Sequence, residues 1–191
     1  RVVGPGNPDG FRTIAKGCDG RACRMPMRFN GETWKTVVPG WGLLDDLTGI
    51  PIDPLSLVSD QNIEMTEWEV QGVAVQIVRD HIVSDLGYEL MSSQGNPSVD
   101  PSLWFVGKNG PEWVVVRPIK FPERIAPLPS NILEIAESCA HLSAKGNFAS
   151  VAVAGAEDAF ERTDDVPVIP LWRGHGIDYH FEGLSVLANV P

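Results

Sequence analysis

The clearest pattern along the chain is an apolar stripe with helical spacing in its middle third. The members of this stripe recur every three or four positions and include Val75, Val78, Ile82 and Leu86. This spacing predicts a helix from about Thr66 to Leu86. Gly87 is well placed to end it, and Gly72 inside it predicts a close approach by a neighbouring element, because glycine is otherwise costly in a helix.

Short apolar runs separated by turn residues follow this helix and predict a meander of strands. The predicted strands are Tyr88 to Met91, Leu103 to Gly107 and Trp113 to Ile119. Lys108 to Pro111 is expected to join the last two as a hairpin. Because the run from Trp113 to Val116 lacks polar alternation, we expect a central strand that is covered on both faces.

A second helix is predicted from about Asn131 to Lys145, with Ser130 as its N-cap and Gly146 just beyond its end. Its apolar face comprises Ile132, Ile135, Ala136, Cys139 and Leu142. The apolar segment from Phe148 to Ala154 then predicts a strand parallel to its neighbour, since it follows a crossover helix. One or two further strands are expected around Tyr179 to Phe181 and Leu184 to Leu187.

The first 60 residues are rich in Gly and Pro and show little helical periodicity, which predicts strands and turns. Arg24 to Phe29 and Glu32 to Val38 form a candidate hairpin around a two-residue Asn30-Gly31 turn. A long loop is expected from Pro39 to Asp60. The whole pattern predicts one compact α/β domain with a mixed central sheet flanked by helices, in which residues 64–191 are the core and residues 1–63 are a β-rich extension that packs on it.

Composition narrows the partners that this chain can have. It has 191 residues and no apolar run near the roughly 20 residues of a membrane span, so we expect no membrane. A formal net charge of −10 repels a phosphate backbone, so a nucleic-acid role needs a local basic patch. The odd number of cysteines, three, favours a reducing compartment such as the cytoplasm. The candidate basic residues are Arg21, Arg24, Arg28, Lys35, Lys108, Arg117, Lys120 and Arg124.

The predicted order of helix, three-stranded meander, helix and strand between Thr66 and Val153 resembles the PD-(D/E)XK (restriction-endonuclease-like) superfamily. That resemblance implies a carboxylate near the second core strand, an acid-x-lysine triplet on the third, and often a glutamate on the first helix. Asp100 matches the first acid, and Glu67 and Glu69 are candidates for the helical glutamate. On the third strand the triplet is Val115-Val116-Arg117, with valine where the second acid belongs.

Two hypotheses follow from this partial match. In the first, the chain is a non-catalytic or impaired nuclease-like domain with a binding or scaffolding role, for which a protein partner is favoured over nucleic acid. In the second, it is a metal-dependent phosphodiesterase with a rearranged site. That site would use Asp100, Glu112 and a helical glutamate, Glu67 or Glu69, to hold Mg²⁺, with Arg117 or Lys120 holding phosphate. Arg117 is not a candidate base, since it does not titrate near neutrality.

Cysteine and histidine residues are candidates for a zinc site, and tryptophan residues are candidates for an aromatic binding surface. Cys18 and Cys23, like His175 and His180, are separated by five positions, a spacing wider than that of usual zinc ligand pairs. A pair formed by one of these thiols and a histidine is a further hypothesis, without support from spacing. Trp34 and Trp41 flank a Gly-Pro loop. Burial is the expectation for both, and an exposed aromatic surface is the alternative.

Overall fold

The computed structural model describes residues 7–156, 160 and 169–187. The chain divides into two compact units at the boundary between Asn62 and Ile63. No helix in the described ranges is long and apolar enough to cross a membrane.

The N-terminal unit begins with a helix, α1, at Pro8–Gly17. Its start carries a recognisable cap, because the Asn7 side chain accepts a hydrogen bond from the backbone N–H of Asp9 and proline occupies the first helical position. None of its residues is buried, and Phe11 and Ile14 are exposed. The prediction of strands and turns alone in this segment was therefore wrong, because the Asn7-Pro8 cap and the stripe that contains Phe11 and Ile14 specify a helix.

The remainder of this unit contains short antiparallel strands. The strands are β1 (Cys23–Arg24), β2 (Met27–Phe29), β3 (Trp34–Thr36), β4 (Leu43–Asp45) and β5 (Pro51–Ile52), followed by a 3₁₀ helix at Pro54–Leu57. β2 pairs with β3 alone, and β1, β4 and β5 form a second sheet in which β4 is central. The loop expected from Pro39 to Asp60 is thus partly ordered into strands.

The β2–β3 hairpin confirms the predicted pairing but not the predicted turn. Phe29 and Trp34 face each other across the strands, so the connection has four residues instead of two. Asn30 closes it, since its Oδ1 accepts from the backbone N–H groups of Glu32 and Thr33. A side chain that satisfies the loop's own backbone in this way favours the wider connection.

The C-terminal unit, Ile63–Pro191, contains the larger sheet. Its elements are α2 (Glu67–Asp80), a π-helical turn (His81–Asp85), β6 (Glu89–Ser93), β7 (Leu103–Gly107), β8 (Gly110–Lys120), α3 (Ile132–Cys139), β9 (Gly146–Gly155), β10 (Ile177–His180) and β11 (Ser185–Val186). The strand order is β10-β9-β8-β7-β6, with β11 also paired to β9. β8 and β9 are parallel and the other neighbours antiparallel, so the predicted α/β class with a mixed central sheet is confirmed.

The core lies on both faces of β8, which is the middle strand of the sheet. Val114 and Val116 pack on the face covered by α2. Trp113 and Val115 pack on the opposite face with α3. All four side chains are fully buried, which confirms the prediction of a central strand covered on both sides.

The two helices differ in how well their predicted bounds match. α2 starts after Thr66, whose hydroxyl and backbone form a capping box with Glu69, and its π-helical continuation stops before Gly87. α3 is shorter than predicted. It is preceded by Asn131 instead of a Ser130 cap and ends at Cys139. Leu142, expected on its buried face, is exposed.

Candidate functional site

Asp100 and Arg117, two of the predicted site residues, form an ion pair. Asp100 lies in the loop before β7 and Arg117 lies on β8. The guanidinium donates from Nη1 to Oδ1 at 3.0 Å and from Nη2 to Oδ2 at 2.5 Å. The Asp100 side chain is only 11% exposed and the Arg117 side chain 23%. The first predicted acid is therefore held bidentately by a cation of the protein, in the arrangement that makes such pairs strong.

Val115 occupies the position at which the resemblance implies a second acid. It is fully buried and packs in the cluster that contains Trp113, Ile135 and Cys139. A carboxylate there would lie among apolar side chains, where an unpaired charge is strongly disfavoured. This position belongs to the hydrophobic core.

The two helical glutamates have different surroundings. Glu69 closes the capping box, accepting from the Thr66 N–H at 2.8 Å, and forms an ion pair with Nε of Arg173 at 2.8 Å. Glu67, two residues earlier, lines a groove that also contains Arg117. Glu69 lines a different groove, together with Arg173.

Glu112 lies near the start of β8, five residues before Arg117. On a strand this is roughly 16 Å of separation, and an odd interval places the two side chains on opposite faces. The Glu112 Oε2 accepts from Nδ2 of Asn147 at 3.1 Å. Glu112 is thus remote from the pair formed by Asp100 and Arg117.

Lys120, at the end of β8, donates to Oε1 of Glu64 at 2.9 Å. Both side chains are about half exposed, so this ion pair is weak and salt-sensitive. The Lys120 side chain also lines the groove with Glu67 and Arg117.

The groove has a volume of about 380 Å³ and runs beside the part of β8 that extends past β7. Gln71, a buried residue of α2, donates from Nε2 to the Val116 carbonyl at 3.2 Å, and Arg117 Nη1 donates to the same oxygen at 3.0 Å. Pro118 then has no N–H to offer. This edge is therefore closed to an added strand by side-chain hydrogen bonds and a proline.

These residues do not fit the Mg²⁺ site that the resemblance implies. Asp100, Glu69 and Glu112 are each engaged by a different protein donor, and a magnesium ligand set requires converging oxygens. Within residues 7–156, 160 and 169–187, no group of three or more His, Cys, Asp or Glu side chains is arranged to hold a metal ion.

Among the described residues, the histidine and cysteine candidates form no such group either. His81 Nδ1 is 2.8 Å from Asp85 Oδ2, and His180 Nε2 is 3.3 Å from Glu182 Oε1. Cys139, the last residue of α3, is buried, and this burial raises the pKa of its thiol. Its predicted role as a small core residue is confirmed.

The aromatic candidates are exposed, so the expectation of burial was wrong for them. Trp34 is 51% and Trp41 53% exposed. Trp34 sits in the β2–β3 hairpin with its ring 5.4 Å from that of Phe29. An apolar residue type predicts burial only where a sheet face or helix is available to cover it.

The basic candidates are dispersed over both units. Arg21 is close enough to Asp45 to help lower the pKa of that carboxyl. Lys108 is exposed on the β7–β8 turn, and the Arg124 guanidinium donates to the Phe160 carbonyl. Arg28 and Lys35 face each other across β2 and β3.

Sequence reasoning missed one residue of this site, Gln71. It stands beside Val70 and before Ala74 on the buried face of α2, and it is itself buried. A lone amide within an apolar stripe was a usable signal, because a buried polar side chain must find a partner.

One known protein family matches this region of the chain. A family model described as Domain of unknown function (DUF8840) matches residues 68–187, more than half of the chain. The chain belongs to this family. The DUF8840 match begins within α2 and ends just after β11, so it covers the mixed sheet and the Asp100–Arg117 pair. No curated protein and no solved structure matches the chain.

Proposed function

We propose that the DUF8840 region is a restriction-endonuclease-like domain without a working metal site, and that it serves as a binding or scaffolding domain. The order α2, β6 to β8, α3 and β9, with β9 parallel to β8, supports the fold assignment. Topology alone says little about activity. The site residues are therefore what supports a non-catalytic role.

The observation that carries the proposal is the bidentate pair between Asp100 and Arg117 beside a buried Val115. A metal at Asp100 would have to displace the guanidinium and would gain no second ligand from the strand. Breaking a partly buried ion pair costs free energy that a single carboxylate–metal contact does not offset. This arrangement suits a structural role for Asp100.

The charge of the region favours a protein partner with a basic contact surface. Residues 63–191 contain 18 Asp and Glu against eight Lys and Arg, so the whole formal charge of −10 lies in this part of the chain. Such a field slows the approach of nucleic acid and accelerates that of a cationic surface. The exposed Cys23 thiol supports a reducing compartment such as the cytoplasm.

The test is a cleavage assay on single-stranded and duplex DNA and RNA with Mg²⁺ or Mn²⁺. It compares the full chain with Asp100→Asn and with Glu182→Gln, which removes an exposed carboxylate elsewhere. We expect the same background cleavage from all three, and no rise of the melting temperature on adding either metal. Cleavage that Asp100→Asn abolishes and Glu182→Gln retains would overturn the proposal in favour of a phosphodiesterase.

A further inference from the structure

The β2–β3 hairpin presents two different pairs of side chains on its two faces. Phe29 and Trp34 are direct cross-strand partners, and Arg28 and Lys35 form the adjacent pair. Because successive residues on a strand point to opposite faces, one face is aromatic and the other is basic. Every residue of both strands is exposed.

Two like charges directly opposite each other destabilise a hairpin. In the part of the chain that the structure describes, neither Arg28 nor Lys35 has a carboxylate partner. The hairpin therefore carries a repulsion that a bound anion would relieve. Arg21, by contrast, lies near Asp45.

The aromatic face of the hairpin carries two large apolar side chains that are half exposed. Phe29 and Trp34 are each 51% exposed, with ring centroids 5.4 Å apart at an interplanar angle of 45°. Met27 shares their face and is also exposed. Such rings offer flat surfaces on which a further planar group can stack.

Charge distribution sets this segment apart from the remainder of the chain. Residues 21–35 contain four basic residues and one acid, Glu32, whereas residues 63–191 carry the whole net charge. Salt at physiological strength screens exposed charges beyond roughly 8 Å. The local excess of positive charge therefore governs what binds at the hairpin itself.

We propose that the β2–β3 hairpin binds single-stranded nucleic acid, with bases stacking on Trp34 and Phe29 and phosphates contacting Arg28 and Lys35. Because this ribbon has only two strands, a flexible single strand can pass over its open edge and contact both faces. Aromatic rings and cations, the two features on which single-strand binding surfaces depend, then both have a partner. An acidic peptide would use the cations alone. A duplex would meet one face of the ribbon and leave the other exposed.

Fluorescence anisotropy of labelled oligo(dT) and oligo(U) with the full chain tests this. Trp34→Leu, which keeps apolar bulk but removes the ring, should weaken binding by roughly five- to 150-fold, the value of one base–aromatic stack. Trp34→Phe should retain most of the affinity. Phe11→Leu, on α1, is the matched control and should bind as the wild type does.

Lys35→Glu distinguishes a loss of binding from a loss of folding. It places a carboxylate opposite Arg28, so it should stabilise the hairpin while weakening binding, and the melting temperature should not fall. Lys35→Gln should reduce the slope of log K against log salt by about 0.7, and Lys108→Ala should leave the slope unchanged.

Three results would overturn the proposal. One is no binding of either oligonucleotide at low salt. A second is affinity that is unaffected by both Trp34→Leu and Lys35→Glu. The third is equal or tighter binding of duplex DNA or of poly-glutamate, which would identify a duplex or an acidic protein as the ligand.

Discussion

The indole of Trp113 lies directly against the backbone of Gly146, in the space that a Cβ on residue 146 would occupy. The ring is held there by a hydrogen bond from Nε1 to the Ser143 carbonyl at 3.1 Å. Trp113 therefore contacts the turn at residues 140–145, which joins the end of α3 at Cys139 to the start of β9 at Gly146.

Gly146→Ala is expected to destabilise the C-terminal unit by roughly 1–3 kcal/mol, the usual cost of overpacking a core. The methyl group would overlap the Trp113 ring, which is fully buried. Urea unfolding followed by far-UV circular dichroism measures the change. In the double variant with Trp113→Phe, the smaller ring should make the two costs less than additive. A Gly146→Ala protein as stable as the wild type would contradict the contact.

Gly72→Ala is the matched substitution, and its expected effect on stability is the opposite of that of Gly146→Ala. A Cβ at this position of α2 meets no atom within 4 Å, and alanine is a better helix former than glycine. We expect a gain of roughly 0.5–1 kcal/mol in the free energy of unfolding. The same urea experiment measures it. A loss of stability would show that the backbone near Gly95, which approaches Gly72 closely, has no room to adjust.

The elements that sequence reasoning located well are those whose pattern is local. The stripe from Val70 to Ile82 and the unbroken apolar run of β8 each specify their own burial, and both were confirmed. The end of α3 was missed, and the turn that follows it is hydrogen-bonded to Trp113, a residue 30 positions from Ser143. Helix α1 was missed although the sequence Asn7-Pro8-Asp9 is typical of a capped helix start.

For the candidate site too, local features of the sequence were predictable and non-local contacts were not. The absence of an acid at Val115 was visible in the sequence. The partner of Arg117 was not, because Asp100 comes within reach only through the register of β7 on β8. The engagement of Glu69 by Arg173 is also non-local, spanning 104 positions. Residue types therefore predicted which groups could act, and tertiary pairing decided which were already occupied.

A double-mutant cycle on Asp100 and Arg117 measures their interaction. With Asp100→Asn and Arg117→Met, we expect a coupling energy of roughly 1–2 kcal/mol, since the pair is bidentate and mostly shielded from solvent. The control cycle uses Glu64→Gln and Lys120→Met, a pair that is half exposed. Its coupling should stay below about 0.5 kcal/mol. Equal coupling in the two cycles would mean that burial does not strengthen the first pair.

Asp45 provides a test in acid that reports on the N-terminal unit alone. Its pKa is lowered from 3.8, chiefly because its carboxylate accepts hydrogen bonds from the backbone N–H and the hydroxyl of Thr48. A carboxyl group whose pKa is depressed on folding stabilises the fold above the pKa of the unfolded chain. This contribution disappears as the pH falls through the folded value. Chemical shifts of the Thr48 amide should therefore titrate with a midpoint below 3.8.

Asp45→Asn keeps an oxygen that accepts the same hydrogen bonds but does not titrate. The acid transition of the Thr48 amide should therefore vanish in this variant, while Asp60→Asn, which changes an exposed acid of the same unit, should leave it in place. The loop from Asp45 to Gly49 should also lose less amide protection below about pH 4 in the Asp45→Asn protein than in the wild type. A midpoint at or above 3.8 would show that the hydrogen bonds to Thr48 do not favour the ionised carboxylate.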